Sequence, residues 1–395
     1  MGFFSSVAQY KWVILFYLII ILFIIIKRKK FQFQAKFIAL YRTKIGLRII
    51  NKIGTKYKRL IRTMGYFGII IGYIGMAVII VFIIKGIHDF IFIPEAPPPI
   101  APVLPGVPVP GSPVFVPFWY GIISLFIVVC IHEFSHGIVA KAHGLNVKNT
   151  GIVFFGPLIG AFVEPDEKKL KKKKDAVKCS VFSAGPLSNI LTAGAVILIF
   201  AFIANPIAAA YVHPVGVSFL EVEPGMPAEQ AGLKTGVVYT RINNMTVTSV
   251  KDFIRAFENI SVNETIIIGN DEENHTVTTT SRPENPDQPV IGVTVETRLS
   301  NEDNVLVKVF IWLVGLLNWV FILSIGLGLA NLLPLGIVDG GRMLQVSLTR
   351  SFGEKKGNNI MAKVTIILLI IILVLLWPII EATLSALING VSSLI

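Results

Sequence analysis

Six apolar segments, each about 20 residues long, constrain this chain more than any other feature of its sequence. They lie at about residues 7–26, 65–84, 118–141, 179–204, 306–330 and 360–380. A helix needs about 20 consecutive apolar residues to cross the hydrocarbon core of a bilayer. Only 15% of the residues are charged, whereas soluble domains carry about 25%. The sequence therefore excludes a soluble globular protein and a disordered one, and predicts a polytopic α-helical membrane protein with about six spans.

The net charge of +12 comes almost entirely from one segment. Residues 27–62 contain 13 Lys and Arg and no Asp or Glu, so the rest of the chain sums to −1 (12 − 13). A basic segment between two apolar spans sets membrane topology, because Lys and Arg remain on the cytoplasmic side. We therefore place residues 27–62 in the cytoplasm and expect no nucleic-acid partner.

The remaining loops alternate in charge as this placement requires. Residues 85–117 are rich in proline and poor in charge, as in an extended external linker. Residues 164–178 contain seven Lys against four acids, which fits the cytoplasm, whereas residues 205–305 contain 14 acids against six bases, which fits the outside. The sequence therefore predicts a multi-pass protein of the cell membrane, embedded in the lipid bilayer.

The third apolar segment ends in a pattern that suits a metal ion. Residues 132–136 read HEFSH, so His132 and His136 share one face of a helix. Two imidazoles at that spacing bind one zinc ion, and the intervening Glu133 reaches the water on that ion. Ionisable side chains are costly inside a bilayer and are usually functional there. The pattern therefore favours a catalytic zinc site over a structural polar cluster.

A catalytic zinc ion takes three protein ligands and keeps one position open for water. Asp339 follows the cytoplasmic end of the fifth span, at the depth to which the third span brings His136. Glu164 and Asp166, in a charged cytoplasmic loop, are rival candidates, and so is His143, seven residues beyond His136. The sequence predicts a third ligand from this set.

Three motifs together resemble the site-2 protease family of intramembrane zinc metalloproteases. HEFSH at 132–136, GPLSN at 185–189 and NLLPLGIVDG at 331–340 match HExxH, GPxxN and NxxPxxxxDG, in that order along the chain. The resemblance covers residues 118–380. It implies a zinc metalloendopeptidase that hydrolyses peptide bonds within the transmembrane segments of membrane-anchored substrates, in regulated intramembrane proteolysis.

The resemblance also implies roles for individual residues. Carried over position by position, the ligands of the single zinc ion are His132, His136 and Asp339. Glu133 activates the zinc-bound water as general base and then acts as general acid. The residues that shape the loop beside the metal and contact substrate are Asn331, Pro334 and Asn189.

The apolar residues 151–163 (GIVFFGPLIGAFV) are too short to span a bilayer and resemble the re-entrant hairpin of the same family. Irregular backbone is tolerated at membrane depth only against protein or a water-filled cavity. We predict that Gly151, Gly156 and Gly160 help to hold the substrate there as an extended strand. A plain interfacial loop is the alternative.

The polar residues 205–305 alternate between short β-rich runs and one helical stretch. The string EPGMPAEQAGLKTG (223–236), followed by INNMTV (242–247), resembles a PDZ domain of the bacterial and archaeal kind. Such domains bind an extended peptide along the edge of a sheet. The resemblance therefore implies an inserted, β-rich (α+β) PDZ domain with an extended peptide ligand. A spacer domain without a ligand is the alternative.

These assignments divide the chain into four parts. Residues 1–117 form a two-helix membrane unit with a basic loop and a Pro-rich linker, and residues 118–204 form the first half of the protease core. Residues 205–305 are the extracytoplasmic PDZ-like domain. Residues 306–395 are the second half of the core, with the zinc site near the cytoplasmic side.

Two other functions compete with proteolysis. One is a catalytically inactive membrane receptor or scaffold that acts through peptide binding by the PDZ-like domain. The other is a zinc-dependent transporter or sensor, although the sequence lacks the internal repeats common in transporters. Intact HExxH and NxxPxxxxDG motifs favour the protease.

Overall fold

The computed structural model of the chain describes residues 11–34, 38–93, 97–155, 158–282 and 285–392. Within these residues five helices are long and apolar enough to cross a membrane. They are α3 (Lys58–Phe92), α4 (Phe118–Ala142), the continuous span Ala184–Tyr211, α11 (Val305–Ala330) and α13 (Glu354–Leu375). The predicted fold class, a polytopic α-helical membrane protein with an inserted β-rich domain, is confirmed.

Two of the six predicted spans differ from the observed helices. The first described helix, α1 (Lys11–Ile26), is apolar but has 16 residues, and the predicted span 7–26 begins outside the described residues. The predicted fourth span began at residue 179, whereas a separate helix, α6 (Asp175–Phe182), ends before the long span begins at Ala184. Apolar composition continues across that break, so hydropathy alone did not locate it.

The chain divides into two compact units. The first comprises Met1–Ile197 and Gly315–Ile395, and the second comprises Leu198–Val314. The remaining helices of the first unit are α2 (Leu47–Lys56), α5 (Glu167–Lys171), the start of the long span α7 (Ala184–Ile199), α12 (Asp339–Phe352) and α14 (Trp377–Ser392).

A four-stranded antiparallel sheet joins the beginning of the chain to the segment that follows α4. Its strands, in spatial order, are β1 (Phe31–Gln34), β2 (Ile38–Thr43), β3 (Val147–Phe155) and β4 (Leu158–Pro165). Residues 27–62, predicted only as a basic loop, therefore supply two strands and α2. Charge indicated the side of the membrane for this segment but carried no information about strand pairing. In this order β4 is the last strand and pairs with β3 on one side, so among the described residues its other side is an edge of the sheet.

The side chain of Arg42 on β2 reaches across the sheet to β4. Its Nε and Nη2 donate to the carboxylate of Glu164 at 2.9 and 2.6 Å. Arg42 lies opposite Gly151 in the register of β2 with β3, and a side chain at residue 151 would collide with the Tyr41 carbonyl and the Phe162 ring. Gly151 therefore allows three strands to pack closely here.

Helix α3 packs against α12, the helix that begins at Asp339. The Tyr73 hydroxyl lies 2.6 Å from the Ser347 hydroxyl and donates to the Met343 carbonyl of α12 at 3.2 Å. The buried residues of this helix are mostly glycines, namely Gly65, Gly68, Gly72, Gly75 and Gly86. Small residues let the backbones of membrane helices approach closely, so α3 is part of the packed membrane core.

The second unit is the inserted β-rich domain. Its strands are β5 (Pro214–Val222), β6 (Val238–Tyr239), β7 (Arg241–Ile242), β8 (Met245–Thr246), β9 (Thr265–Gly269), β10 (Asn274–Thr278), β11 (Thr280–Arg282), β12 (Asn285–Val290) and β13 (Val293–Leu299). Helices α9 (Pro227–Gln230) and α10 (Val250–Phe257) accompany them, after α8 (Asn205–Tyr211) has ended the long span. Phe219, Tyr239, Ile266 and Ile268 lie at the centre of a fully buried apolar core, so this domain has its own hydrophobic core.

Candidate metal and active site

Helix α4 brings the two histidines together inside the protein. His132 and His136 are both buried, with 4% and 9% of their surface exposed. They lie four residues apart on one helical face, and their Nε2 atoms are 3.2 Å apart. Both imidazoles therefore direct one ring nitrogen to the same point.

Asp339, the first residue of α12, completes this arrangement. Its Oδ2 lies 3.1 Å from His132 Nε2 and 3.2 Å from His136 Nε2. The preceding loop folds tightly against the helix, because the Gly340 amide donates to the Asn331 carbonyl at 2.7 Å. A side chain at Gly340 or Gly341 would collide with the carbonyls of that loop. The glycines after Asp339 thus allow the loop to hold its carboxylate against the histidines.

The three converging atoms fit a tetrahedral metal ion. Zinc binds imidazole nitrogen and carboxylate oxygen at about 2.0–2.2 Å, which separates neighbouring ligand atoms by about 3.3 Å in a tetrahedron. The observed separations of 3.1–3.2 Å among His132, His136 and Asp339 are close to that value. Glu133 lies beside the histidine pair: one ligand atom from each of His132, Glu133 and His136 lies within 4.8 Å of the other two. Two imidazoles and one carboxylate form a donor set suited to catalytic zinc.

Glu133 lines a cavity beside the two histidines. Its Oε2 accepts a hydrogen bond of 3.2 Å from the backbone amide of Val163 on β4. The cavity has a volume of about 230 Å³ and is bounded by both histidines, Asp339 and Asn331. The other lining residues are Val163, Pro165, Glu167, Leu170, Val181, Phe182, Ile337, Val338 and Arg342. The Glu133 carboxylate, both imidazoles and the Asp339 carboxylate therefore meet at one cavity.

The ring nitrogen of each imidazole that faces away from Asp339 also has a polar neighbour. His136 Nδ1 donates to the Val181 carbonyl of α6 at 2.7 Å. His132 Nδ1 lies 3.1 Å from the side-chain amide of Asn189 on α7. Partners behind metal-binding histidines set the orientation and tautomer of the ring. Sequence reasoning missed Val181, since a backbone carbonyl leaves no residue-type signal.

The residues predicted to contact substrate lie in different surroundings. Asn331 lines the cavity and donates to the Leu327 carbonyl at 3.0 Å, whereas Pro334 is buried in the loop before Asp339. Gly151 and Gly160 lie on β3 and β4, and Gly156 lies outside the described residues. Their predicted role in substrate binding stays a prediction.

Glu164, one rival for the third ligand, is held on the sheet. Its carboxylate accepts hydrogen bonds from Arg42 and from Asn149. The hydrogen bond from Arg42 lowers the pKa of Glu164, burial opposes that change, and the hydrogen bond from Asn149 adds to the lowering. At neutral pH the Glu164 carboxylate is therefore charged and hydrogen-bonded to Arg42 and Asn149.

The other two rivals also have partners elsewhere. Asp166 accepts a hydrogen bond from the Lys169 amide and thereby caps α5. His143 Nε2 lies 3.1 Å from the Ser180 hydroxyl. Burial lowers the pKa of His143 to about 4, and the positive charges of Arg62 and Lys173 add to that effect. At pH 7 this imidazole is neutral and acts in packing between α4 and α6.

The wall of the cavity also contains an ion pair that the sequence did not predict. Arg342 Nη2 lies 3.0 Å from Glu167 Oε1, and its guanidinium stacks over the Phe182 ring with 5.0 Å to the centroid. All three residues line the cavity. They come from α12, α5 and α6, so only their packing shows that they belong to one wall.

Comparison with known proteins identifies a family and similar proteins. The sequence model of peptidase family M50 matches residues 120–372. An uncharacterized protein of Methanocaldococcus jannaschii is 32% identical over 221 residues, which cover 54% of this chain and 53% of that protein. The chain thus matches about half the length of that relative. The solved PDZ domain of an SdrC-like protein from Listeria monocytogenes aligns at 25% identity with 20% of this chain and 86% of its own, with a TM-score of 0.18.

Proposed function

The chain belongs to peptidase family M50, and from this premise we propose that it is an intramembrane zinc metalloprotease. Its reaction is hydrolysis of peptide bonds in the transmembrane segments of membrane-anchored proteins, in regulated intramembrane proteolysis. One observation carries the proposal: His132, His136 and Asp339 converge within 3.2 Å of one another on a cavity that also contains Glu133.

The chemistry follows from these side chains. His132, His136 and Asp339 would hold the ion, and zinc at such a site supplies Lewis acidity that polarises a carbonyl and makes water nucleophilic near neutral pH. Glu133 takes the proton of the attacking water and delivers it to the leaving amide nitrogen. The Val163 amide holds the Glu133 carboxylate on the cavity side through its hydrogen bond.

Edge strand β4 offers a backbone for the substrate to pair with. The Val163 amide points away from β3, since it donates to Glu133. In an antiparallel ladder, alternate residues direct their backbone groups to the same side, so Ala161 also presents its amide and carbonyl away from β3. An unwound substrate segment added beside β4 would lie next to Glu133 and the metal ligands. Helices weakened by glycine or proline unwind more readily, which favours them as substrates.

Two proline variants distinguish the two roles of this edge. Val163→Pro removes the amide that holds Glu133, and Ala161→Pro removes an amide available to the substrate, while neither loses a bond to β3. We expect Val163→Pro to lower kcat about 10-fold or more, since a hydrogen bond to a charged group contributes about 1.5–3 kcal/mol. Ala161→Pro should mainly raise KM. Steady-state cleavage of one fluorogenic substrate measures both, and equal effects on kcat and KM in both variants would contradict the assignment.

The charge distribution supports an orientation for the site. The basic residues 27–62 and 164–178 favour the cytoplasmic side, and the acidic residues 205–305 favour the outside. In this orientation the zinc site opens near the cytoplasm, where water is available, and the inserted domain lies outside the cell membrane.

A second function, peptide binding by the inserted domain, rests on a groove of its own. A cavity of about 610 Å³ lies between α10 and the segment that leads into β13. Phe253, Ile254 and Phe257 form its apolar side, and Gly292 lies in the opposite wall. This shape suits an extended peptide with apolar side chains. A receptor without catalytic activity would use this groove alone.

Metal dependence of cleavage tests the proposed protease directly. The purified full chain should bind one zinc ion and cut a model transmembrane substrate in detergent or vesicles. A chelator should abolish cleavage, and added zinc should restore it. Absence of bound zinc, or cleavage that survives the chelator, would reject the metalloprotease. Zinc binding without cleavage of any transmembrane substrate would favour the receptor.

A further inference from the structure

Asn189 occupies an unusual position behind the metal site. It is fully buried on α7, and its amide nitrogen lies 3.1 Å from His132 Nδ1. Its Oδ1 is buried without a hydrogen-bond partner in the part of the chain that the structure describes. An unsatisfied buried acceptor costs free energy, and buried polar groups are nearly always paired. In this orientation the amide nitrogen of Asn189 faces a ring nitrogen of His132, and the amide oxygen has no partner among the described residues.

The imidazole of His132 determines which group should face it. Its Nε2 points to His136 and Asp339, so that nitrogen must present a lone pair to a metal ion. In the neutral ring the proton is then on Nδ1, which becomes a hydrogen-bond donor. An amide nitrogen, itself a donor, does not pair with it, whereas an amide oxygen does. Rotation of the Asn189 amide by 180° about its Cβ–Cγ bond exchanges the two atoms, so that the oxygen accepts the Nδ1 proton and the amide nitrogen takes the position that Oδ1 had occupied.

The second histidine shows the same arrangement. His136 Nδ1 donates to an oxygen, the Val181 carbonyl, at 2.7 Å. With Asn189 rotated, an oxygen lies behind each imidazole, and both Nε2 atoms are free to bind the same ion. The two oxygens come from α6 and α7, which follow one another in the chain.

Gly185 brings α7 close enough for this contact. A side chain at residue 185 would collide with the Nε2 edges of His132 and His136. Asn189 follows Gly185 by four residues, about one helical turn, on the same face. These contacts explain the GPxxN pattern. Gly185 allows α7 to approach the histidines, and Asn189 reaches Nδ1 of His132.

We propose that Asn189 is a positioning residue whose side-chain oxygen accepts the His132 Nδ1 proton and thereby selects the metal-binding tautomer. The inference rests on the proposed zinc site. It differs from the substrate contact implied by the resemblance, because Asn189 is not among the residues that line the described cavity.

Zinc affinity, measured by competition with a chromophoric chelator on the full chain in detergent, tests this role. Asn189→Leu keeps the approximate shape but removes the acceptor, and we expect affinity to fall about 10- to 100-fold. Asn189→Asp keeps an acceptor at the same place and should retain affinity within a few-fold. Thr192→Val is the matched control, since the Thr192 hydroxyl on the same helix donates to the Ser188 carbonyl of its own preceding turn.

The outcomes separate the alternatives. Wild-type zinc affinity in Asn189→Leu with a lowered kcat would overturn the inference and favour substrate contact. Equal loss in the Asp and Leu variants would overturn it too, because it would mean that the amide nitrogen, not the oxygen, faces His132. Thermal unfolding of the metal-free chains shows whether each variant is folded. Zinc binding by the wild type is measured in the same titration, so a failure of the proposed metal site itself is seen separately.

Discussion

Glu133→Gln should bind zinc with the affinity of the wild type and lose peptide hydrolysis. The glutamine is nearly isosteric, and its side-chain oxygen still accepts the hydrogen bond from the Val163 amide. It cannot accept the proton of the attacking water, and general acid–base catalysis contributes about 10²- to 10⁴-fold to rates. We therefore expect the cleavage rate of a model transmembrane substrate to fall by about that factor, with one zinc ion still bound per chain.

Glu167→Gln is the matched control for this change. Glu167 is a second glutamate on the wall of the same cavity, where it pairs with Arg342. Loss of this exposed ion pair should leave the cleavage rate within a few-fold of the wild type. Cleavage at the wild-type rate by purified Glu133→Gln would remove Glu133 from the mechanism.

Asp339→Ala should abolish zinc binding and, with it, cleavage. The substitution removes one of three converging ligand atoms and leaves two imidazoles, and it also removes the only negative charge among the three ligands. Loss of a hydrogen-bond partner behind a ligand already costs about 10- to 100-fold in affinity, so loss of a ligand should cost more than about 100-fold. Zinc competition with a chelator and the metal content of the purified chain measure this.

Glu164→Gln provides the comparison, because Glu164 was a rival for the third ligand in the sequence. It lies on β4 with Arg42 and Asn149 as partners, so its substitution should leave zinc affinity unchanged. Zinc lost in Glu164→Gln and retained in Asp339→Ala would reverse the assignment of the third ligand.

Much of the site was predictable because its signals are local. His132 and His136 share a face because a helix repeats every 3.6 residues, and that relation needs no tertiary information. The family predicted from three motifs is confirmed by the match over residues 120–372. The sequence named Asp339 as a candidate because loop charges predict the orientation of the spans and therefore the depth of their ends.

The contacts that position these groups were not predictable. Arg42 and Glu164 are 122 residues apart and meet only because β2 pairs with β3. The basic composition of residues 27–62 predicted their side of the membrane but did not predict strands β1 and β2. Similarly, the apolar run around residue 182 did not reveal the break between α6 and α7, although that break places Val181 and Asn189 behind different histidines.

By itself the sequence determined the membrane class, the inserted polar domain and the family, because hydropathy, charge and short motifs depend on residue type and spacing. Only the tertiary structure decided that β1 and β2 join the sheet of β3 and β4 and that Asp339, rather than its rivals, lies against the histidine pair. It also decided that an asparagine and a backbone carbonyl lie behind the two imidazoles. Those relations depend on how distant helices and strands pack, and packing is set by side-chain shape at contacts that no local pattern encodes.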